Sequence, residues 1–245
     1  MPDQAGQAET NQGQPAWTAT DLAGSPHERS DKPTRVRSMF AAIAQSYDLN
    51  NRLHSFGRDQ AWRRAAVRMA GIKPGDRVLD CACGTGDLTM AFARTEAASV
   101  VGSDFTPEML AIAETKRPPL GEHSNKVTYE QADATNLQYS DASFDVISIA
   151  FGIRNVSDPA AALREFYRVL APGGRLIILE FDTPRFPPVR WGNDLYTKHV
   201  MPITATMIAR DTSGAYRYLP KSVETFLDRD QLARQAEQAG VTNTA

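Results

Sequence analysis

Val78-Leu79-Asp80-Cys81-Ala82-Cys83-Gly84-Thr85-Gly86-Asp87, followed by Val100-Val101-Gly102-Ser103-Asp104, is the stretch that decides the fold. It predicts a buried strand, a glycine turn, a helix, and a second strand closing on an acid. Gly84 and Gly86 allow a sharp turn and leave no Cβ between main chain and ligand. Asp104 falls about 18 residues beyond Gly86 at a strand end, where a carboxylate can accept both hydroxyls of a ribose. An apolar strand before the turn and a spaced acid after it together read as a site for an adenosine-containing cofactor.

The polar residues of the turn narrow the cofactor. Thr89 stands where a dinucleotide fingerprint has its third glycine, which counts against NAD. Asp87 opens the helix, where it would repel a pyrophosphate, and Asp80 adds a second negative charge. Such a turn suits a cofactor with a cationic end, S-adenosylmethionine. The spacing D-x-x-x-G-x-G from Asp80 to Gly86 resembles the first motif of class I methyltransferases.

With 245 residues, 42% of them hydrophobic, the chain can bury a sizeable core as one decorated domain. A formal net charge of −2 advertises no nucleic-acid surface. The basic runs Lys32 to Arg37 and Arg58 to Arg68 read as solvated helix faces. No apolar run reaches the roughly 18 residues that span a bilayer. No basic segment followed by an apolar one opens the chain, so a cytoplasmic protein is expected. Cys81 and Cys83 sit too close for an unstrained disulfide, and His27, His54, His123 and His199 are scattered, so no metal site is expected.

Residues 1–33, rich in Gln, Ala, Gly, Pro and Ser, are expected to be disordered, leaving a domain over residues 34–245. Val36, Met39, Phe40, Ile43 and Tyr47 recur at helical spacing, a loop is expected from Asp48 to Gly57, and a second helix follows; residues 35–70 thus form a helical cap. Strands are then expected at 77–81, 99–104, 127–132, 144–151 and 174–181, with helices at 86–94, 107–116 and 159–171. Thr106-Pro107 and Asp158-Pro159 mark helix starts, and Gly173-Gly174 a helix end. This alternation predicts an α/β fold, a doubly wound, mostly parallel sheet that binds ligands at the carboxyl ends of its strands. Residues 182–227 break the alternation and read as a substrate-binding or lid insert.

Each strand end offers candidate site residues. Gly84, Thr85 and Gly86 belong to the cofactor turn, with Asp80 before it and Asp104 after it. Asp133 and Ala134 close the third strand, where an acid can accept from the adenine amino group; a loop-capping role is the alternative for Asp133. The fourth strand runs into Phe151-Gly152-Ile153-Arg154-Asn155, which points a polar pair into the crevice, with a structural ion pair as the alternative for Arg154.

Several blocks resemble the ubiquinone/menaquinone biosynthesis C-methyltransferases (UbiE/Coq5 family) from about Met39 to Gly240. They are Tyr47-Asp48-Leu49-Asn50-Asn51 with Ser55, Gly57 and Trp62; Phe151 to Val156; Arg168 to Arg175 with Glu180-Phe181; and Tyr216-Arg217-Tyr218-Leu219 with Ser222 and Val223. Asn50, His54, Asp59, Ala171 and Asp182 depart from the family pattern. Ala150 replaces a position that can be a cofactor-contacting serine, so that contact is not carried over. The pattern stops after Gly240, so the sheet is expected to lack the last two strands of the family's seven.

The resemblance implies a Rossmann-like class I methyltransferase that uses S-adenosylmethionine to methylate a ring carbon of a polyprenylated quinol in menaquinone or ubiquinone biosynthesis. A ring carbon becomes nucleophilic when an adjacent phenol, with a pKa near 10, ionises. Arg154 is the expected cation for that phenolate, and Asn155 and Tyr47 the expected orienting groups. Val200 to Ile203, Met207 to Ala209, Phe40 and Ile43 are candidates to line the tail route. A peripheral contact with the inner face of the membrane and a homodimer are further expectations. Methylation of oxygen or nitrogen on another small molecule, or an inactive homologue that only binds the cofactor, are the alternatives.

Overall fold

Five parallel strands form the sheet: β1 (Arg77–Cys81), β2 (Ser99–Asp104), β3 (Val127–Gln131), β4 (Phe144–Ala150) and β5 (Leu170–Leu179), in the order β3-β2-β1-β4-β5. A computed structural model describes residues 15–117, 126–182, 186–197, 204 and 213–244. Successive side chains of one strand enter opposite layers, as the pleat requires. Val78 and Val146 pack with Leu88, Phe92 and Ala93 of α3 (Asp87–Ala93) and with Ala70 of α2 (Arg58–Ala70). Leu79 and Ile147 pack instead with Leu163 and Phe166 of α5 (Pro159–Val169) and Ala236 of α8 (Arg229–Gln238). Both faces are covered, which is why these strands read as continuous apolar runs. Because β1 lies between β2 and β4, the connections diverge there and open a crevice at the carboxyl ends. Among the described residues β5 forms one edge of the sheet, and its residues are at most half-buried.

A third cluster caps the crevice. Val36, Met39 and Ile43 of α1 (Lys32–His54) meet Met109 of α4 (Pro107–Thr115) and Tyr216 and Tyr218 of α7 (Ala215–Glu224). The insert also contributes α6 (Pro187–Leu195).

Four expectations are corrected here. The segment from Asp48 to His54 is the last part of α1, not a loop. Its weak helix formers are held by side-chain bonds: Asp48 accepts from the Thr85 hydroxyl and pairs with Lys116 across the fold, and Asn50 donates to the Ser46 carbonyl one turn back. Helix α5 ends at Val169, four residues before Gly173, because Leu170 already pairs with Phe144. Residues 15–31 pack against the domain where composition predicts disorder. Trp17 is fully buried, stacks on Tyr218 at 4.6 Å, and its amide donates to the Ser213 carbonyl; Asp21 pairs with Arg29 and Arg35. One large aromatic outweighs an otherwise polar composition. Lys32, expected on a solvated face, is only 1% exposed and donates to the Val156 carbonyl at 2.6 Å. Burial, then the charge of Arg154, pushes its pKa down to about 8.

Candidate active site

The crevice holds a cleft lined by Gly84, Asp104, Phe105, Met109, Asp133, Ala134, Phe151 and Asn155, with Phe40 and Tyr47 of α1 above it. It encloses about 800 Å³ of empty space, counting its open mouth. Gly84 has a φ of +56°, and a Cβ added there would meet only the Tyr47 ring at 3.9 Å, so the turn presents bare backbone to the cleft. Ala82 and Phe151, non-glycine residues at the ends of β1 and β4, also have positive φ and also line the cleft. Such strain gathers at working sites.

Asp104 ends β2 inside this cleft. Its Oδ2 accepts from the Gly84 amide and its Oδ1 from the Thr106 amide, both at 2.8 Å, which fixes the carboxylate toward the opening. Burial pushes its pKa up, against the pull of those amides. Asp133 caps its own loop, accepting from the Thr135 amide and hydroxyl through Oδ1, and lines the cleft as well. The loop-capping role is thus taken by Oδ1, on a residue that also borders the cleft.

Asp80, Thr85 and Gly86, expected at the ligand, are not among the residues that line the cleft. Asp80 is buried under the turn, where Ser148 and Thr89 hydroxyls donate to its two oxygens at 2.7 and 2.6 Å. Burial raises its pKa to about 6, with those hydroxyls and Arg63 opposing. The Thr85 hydroxyl is turned to Asp48 at 2.6 Å. Gly86 is required by packing, since a Cβ there would come within 2.4 Å of the Tyr129 hydroxyl. Asp87 at the start of α3 accepts from Lys116 and Gln60. Burial works against its ionisation, but Lys116, Arg63 and Gln60 outweigh it and hold its pKa below the usual value.

A second cavity adjoins the first and shares Tyr47 and Phe151 with it. It is larger, about 1690 Å³ of empty space with its mouth, and runs between the end of α1, α2 and α7. Trp62, Phe151 and Phe181 form an aromatic wall: the two phenyl rings stack at 4.6 Å and Trp62 meets both edge-on at about 6 Å. Leu219, Pro220, Val223, His54 and Tyr196 continue the lining. The His54 ring nitrogen Nδ1 lies 3.0 Å from the Tyr196 hydroxyl.

The structure brings the three expected catalytic residues to the junction of the cavities, with one change in character. Arg154 lines the second cavity but is 3% exposed and paired with the buried Glu180. Its Nη1 also donates to the Phe151 carbonyl at 2.9 Å. The expectation of a cation free to meet a phenolate is corrected to that of a cation with its charge already compensated. Asn155 faces the cofactor cleft, donates to the same carbonyl and accepts from the Tyr218 hydroxyl at 2.9 Å. The Tyr47 hydroxyl has no hydrogen-bond partner among the described residues.

The tail-route expectations fare differently. Val200 to Ile203 and Met207 to Ala209 lie outside the described residues. Phe40 lines the cofactor cleft and Ile43 belongs to the cap core, so neither borders the second cavity. Sequence reasoning passed over Arg63 and Phe181 as site residues and used Trp62 only as a family marker. The fold brings Trp62 and Arg63 of α2 into the same cavity lining as Tyr47 of α1, but Arg64 and Arg68 on the same helix look no different from Arg63 in one sequence.

A model of the ubiE/COQ5 methyltransferase family matches residues 28–245. The chain is 47% identical over 203 residues to a demethylmenaquinone methyltransferase of Thermus thermophilus, covering 82% of this chain and 90% of that one. It is 40% identical over 217 residues to a ubiquinone/menaquinone biosynthesis C-methyltransferase UbiE of Cronobacter sakazakii, covering 88% and 86%. Among solved structures, a SAM-dependent methyltransferase of Thermotoga maritima, described as a possible histamine N-methyltransferase, aligns with a TM-score of 0.59 at 21% identity. That alignment covers 84% of this chain and 80% of the other, and shares the fold alone.

Proposed function

The chain belongs to the ubiE/COQ5 methyltransferase family, and on that premise we propose how its two cavities divide the work of an S-adenosylmethionine-dependent C-methyltransferase of quinone biosynthesis. The first cleft takes the cofactor and the second takes a polyprenylated quinol, so the two reactants meet at Tyr47 and Phe151. The observation that carries this reading is the shared wall between a cleft lined by the Gly84 turn and Asp104 and a cavity lined by aromatic rings.

The residues present fit S-adenosylmethionine. The carboxylate of Asp104, held by two amides at the end of β2, suits the ribose hydroxyls, and the bare backbone at Gly84 lets the ligand lie close. Asp133 and Ala134 border the adenine end. Asp80 acts from beneath and Asp87 from the rim, giving the turn a negative field that a pyrophosphate would resist and a cationic group would favour. Thr85 and Gly86 support the turn through Asp48 and Tyr129. When bound, the cofactor supplies an electrophilic methyl group on a sulfonium.

On the other side, Trp62 and Phe181 offer faces and edges to a quinol ring. Tyr47 and Asn155 orient its oxygen from the junction. Arg154 keeps its Nη2 without a hydrogen bond among the described residues, so it can donate to that oxygen while Glu180 balances its charge. Much of the acceleration would then be alignment, with Trp62, Phe181, Tyr47 and Asn155 holding the ring toward the first cleft. Residues 35–70 serve as the cap and residues 182–227 as the substrate insert of the 34–245 domain. No helix among the described residues is long and apolar enough to cross a membrane. Leu53, Phe56 and Leu195 are exposed beside the lining residues His54, Ser55 and Tyr196, which suits a peripheral contact with the lipid surface that holds the tail.

The test is product analysis. The purified chain is given methyl-labelled S-adenosylmethionine and a reduced short-tailed demethylnaphthoquinone, or the corresponding benzoquinone. Label on a ring carbon is expected with at least one of them. Label on oxygen, or none from a protein that binds the cofactor, would overturn the reading.

A further inference from the structure

Arg63 is 8% exposed, lines the second cavity from α2, and forms no hydrogen bond or ion pair with any described residue; its Nε is buried without a partner. An arginine does not shed its proton to escape burial. A buried charge without a counter-ion is costly, so its retention calls for an anion that arrives with a ligand. The guanidinium Cζ lies 5.4 Å from the centre of the Phe151 ring, and that of Arg154 lies 5.5 Å from the Phe181 ring, so the two stacked rings each carry one cation. Glu180 compensates Arg154. Arg63 has no such contact: Asp80 and Asp87 feel its charge at longer range but are bonded to other groups.

The other charged and titratable groups around it are engaged elsewhere or stand off. Asp59, one turn earlier on α2, accepts from Ser55 and Gln60 and lies 3.6 Å from Arg52. Asp87 on α3 pairs with Lys116 and Arg52. Asp80 at β1 is closed by two hydroxyls. His54, Asp182 and Glu224 share the cavity lining.

We propose that Arg63 is the counter-ion of the ionised quinol oxygen, the residue that lowers the pKa of the bound substrate. This rests on the second cavity being the quinol site. The quinol O–H bond breaks with its electron pair left on oxygen, the proton passes to water, and the oxyanion is stabilised by the guanidinium. A neighbouring fixed cation typically shifts such a group by about 1–3 pH units.

A probe that needs no cofactor separates this from failure of the functional reading. The ultraviolet titration of 1-naphthol bound to the parent protein, to Arg63→Gln and to Arg63→Lys reports the ionisation directly. The expected result is a bound naphthol that ionises at least one pH unit lower on the parent than on Arg63→Gln, with Arg63→Lys between them. Turnover should fall on the order of a hundredfold in Arg63→Gln, its pH profile moving up by the same interval. S-Adenosylmethionine affinity should stay within about threefold. Equal naphthol midpoints on variants that melt like the parent would overturn the proposal. So would a loss of cofactor affinity that parallels the loss of turnover, which would assign Arg63 to the cofactor carboxylate.

Discussion

The two cavities that meet at Tyr47 and Phe151 treat charge in opposite ways. Around the first cleft the carboxylates are tied down: Asp104 by two amides, Asp133 by Thr135, Asp80 beneath the turn by two hydroxyls, Asp87 by Lys116 and Gln60. That side is preset and negative. In the second cavity one guanidinium is paired with Glu180 and another, on Arg63, has no ion pair among the described residues. The contrast fits a reaction between a cationic methyl donor and an anionic ring: each side carries the charge that its reactant lacks.

The largest effect should come from breaking the balanced pair. Arg154→Met strands Glu180 in a buried site, and loss of one partner of such a pair costs about 3–5 kcal/mol. Urea unfolding should show that loss, and the double variant Arg154→Met/Glu180→Leu should regain most of it. Turnover should fall by roughly a hundredfold in both, with cofactor affinity nearly unchanged. A single variant as stable as the double would mean that the pair carries no such coupling.

Asp80 sharpens the comparison on the other side. Its folded pKa of about 6 lies above the ordinary value of 3.8, so the fold favours the protonated form. The stability this contributes is fully present below pH 3.8 and is lost as pH rises through about 6. The melting midpoint of Asp80→Asn relative to the parent should therefore climb between pH 4 and pH 7, by on the order of 2–3 kcal/mol in stability. A gap that stays constant with pH would place the ionisation elsewhere.

A smaller effect is expected for Asp104→Ala. Hydrogen bonds to a charged acceptor are worth about 1.5–3 kcal/mol, so calorimetry should show S-adenosylmethionine affinity weakened by about one to two orders of magnitude. Turnover at saturating cofactor should change far less. Unaltered affinity would remove Asp104 from the cofactor site.

The first cleft was largely legible in the sequence because backbone geometry writes itself into residue type. A turn at positive φ selects glycine at Gly84, a strand end selects the acid at Asp104, and β1, β2 and β4 fall where apolar runs stand between turn residues. What was misplaced there is direction: spacing puts Asp80 and Thr85 at the turn but does not say which way a side chain faces. The substrate side was less legible, because it is assembled by tertiary contacts between distant segments. Glu180 meets Arg154 across 26 residues, Tyr218 meets Asn155 across 63, and Trp17 reaches Tyr218 from a tail that composition marks as disordered. Arg63 could not be told from its neighbours on α2, since burial and the absence of a partner are properties of the folded chain.

The most direct test of the two-cavity account is a crystal structure with S-adenosylhomocysteine and a reduced short-tailed naphthoquinol analogue bound together. The account predicts the ribose hydroxyls on Asp104, the aromatic ring beside Trp62 in the second cavity, and the two ligands facing each other at Tyr47 and Phe151. A ring bound away from that junction, or a nucleoside seated in the aromatic cavity, would contradict it.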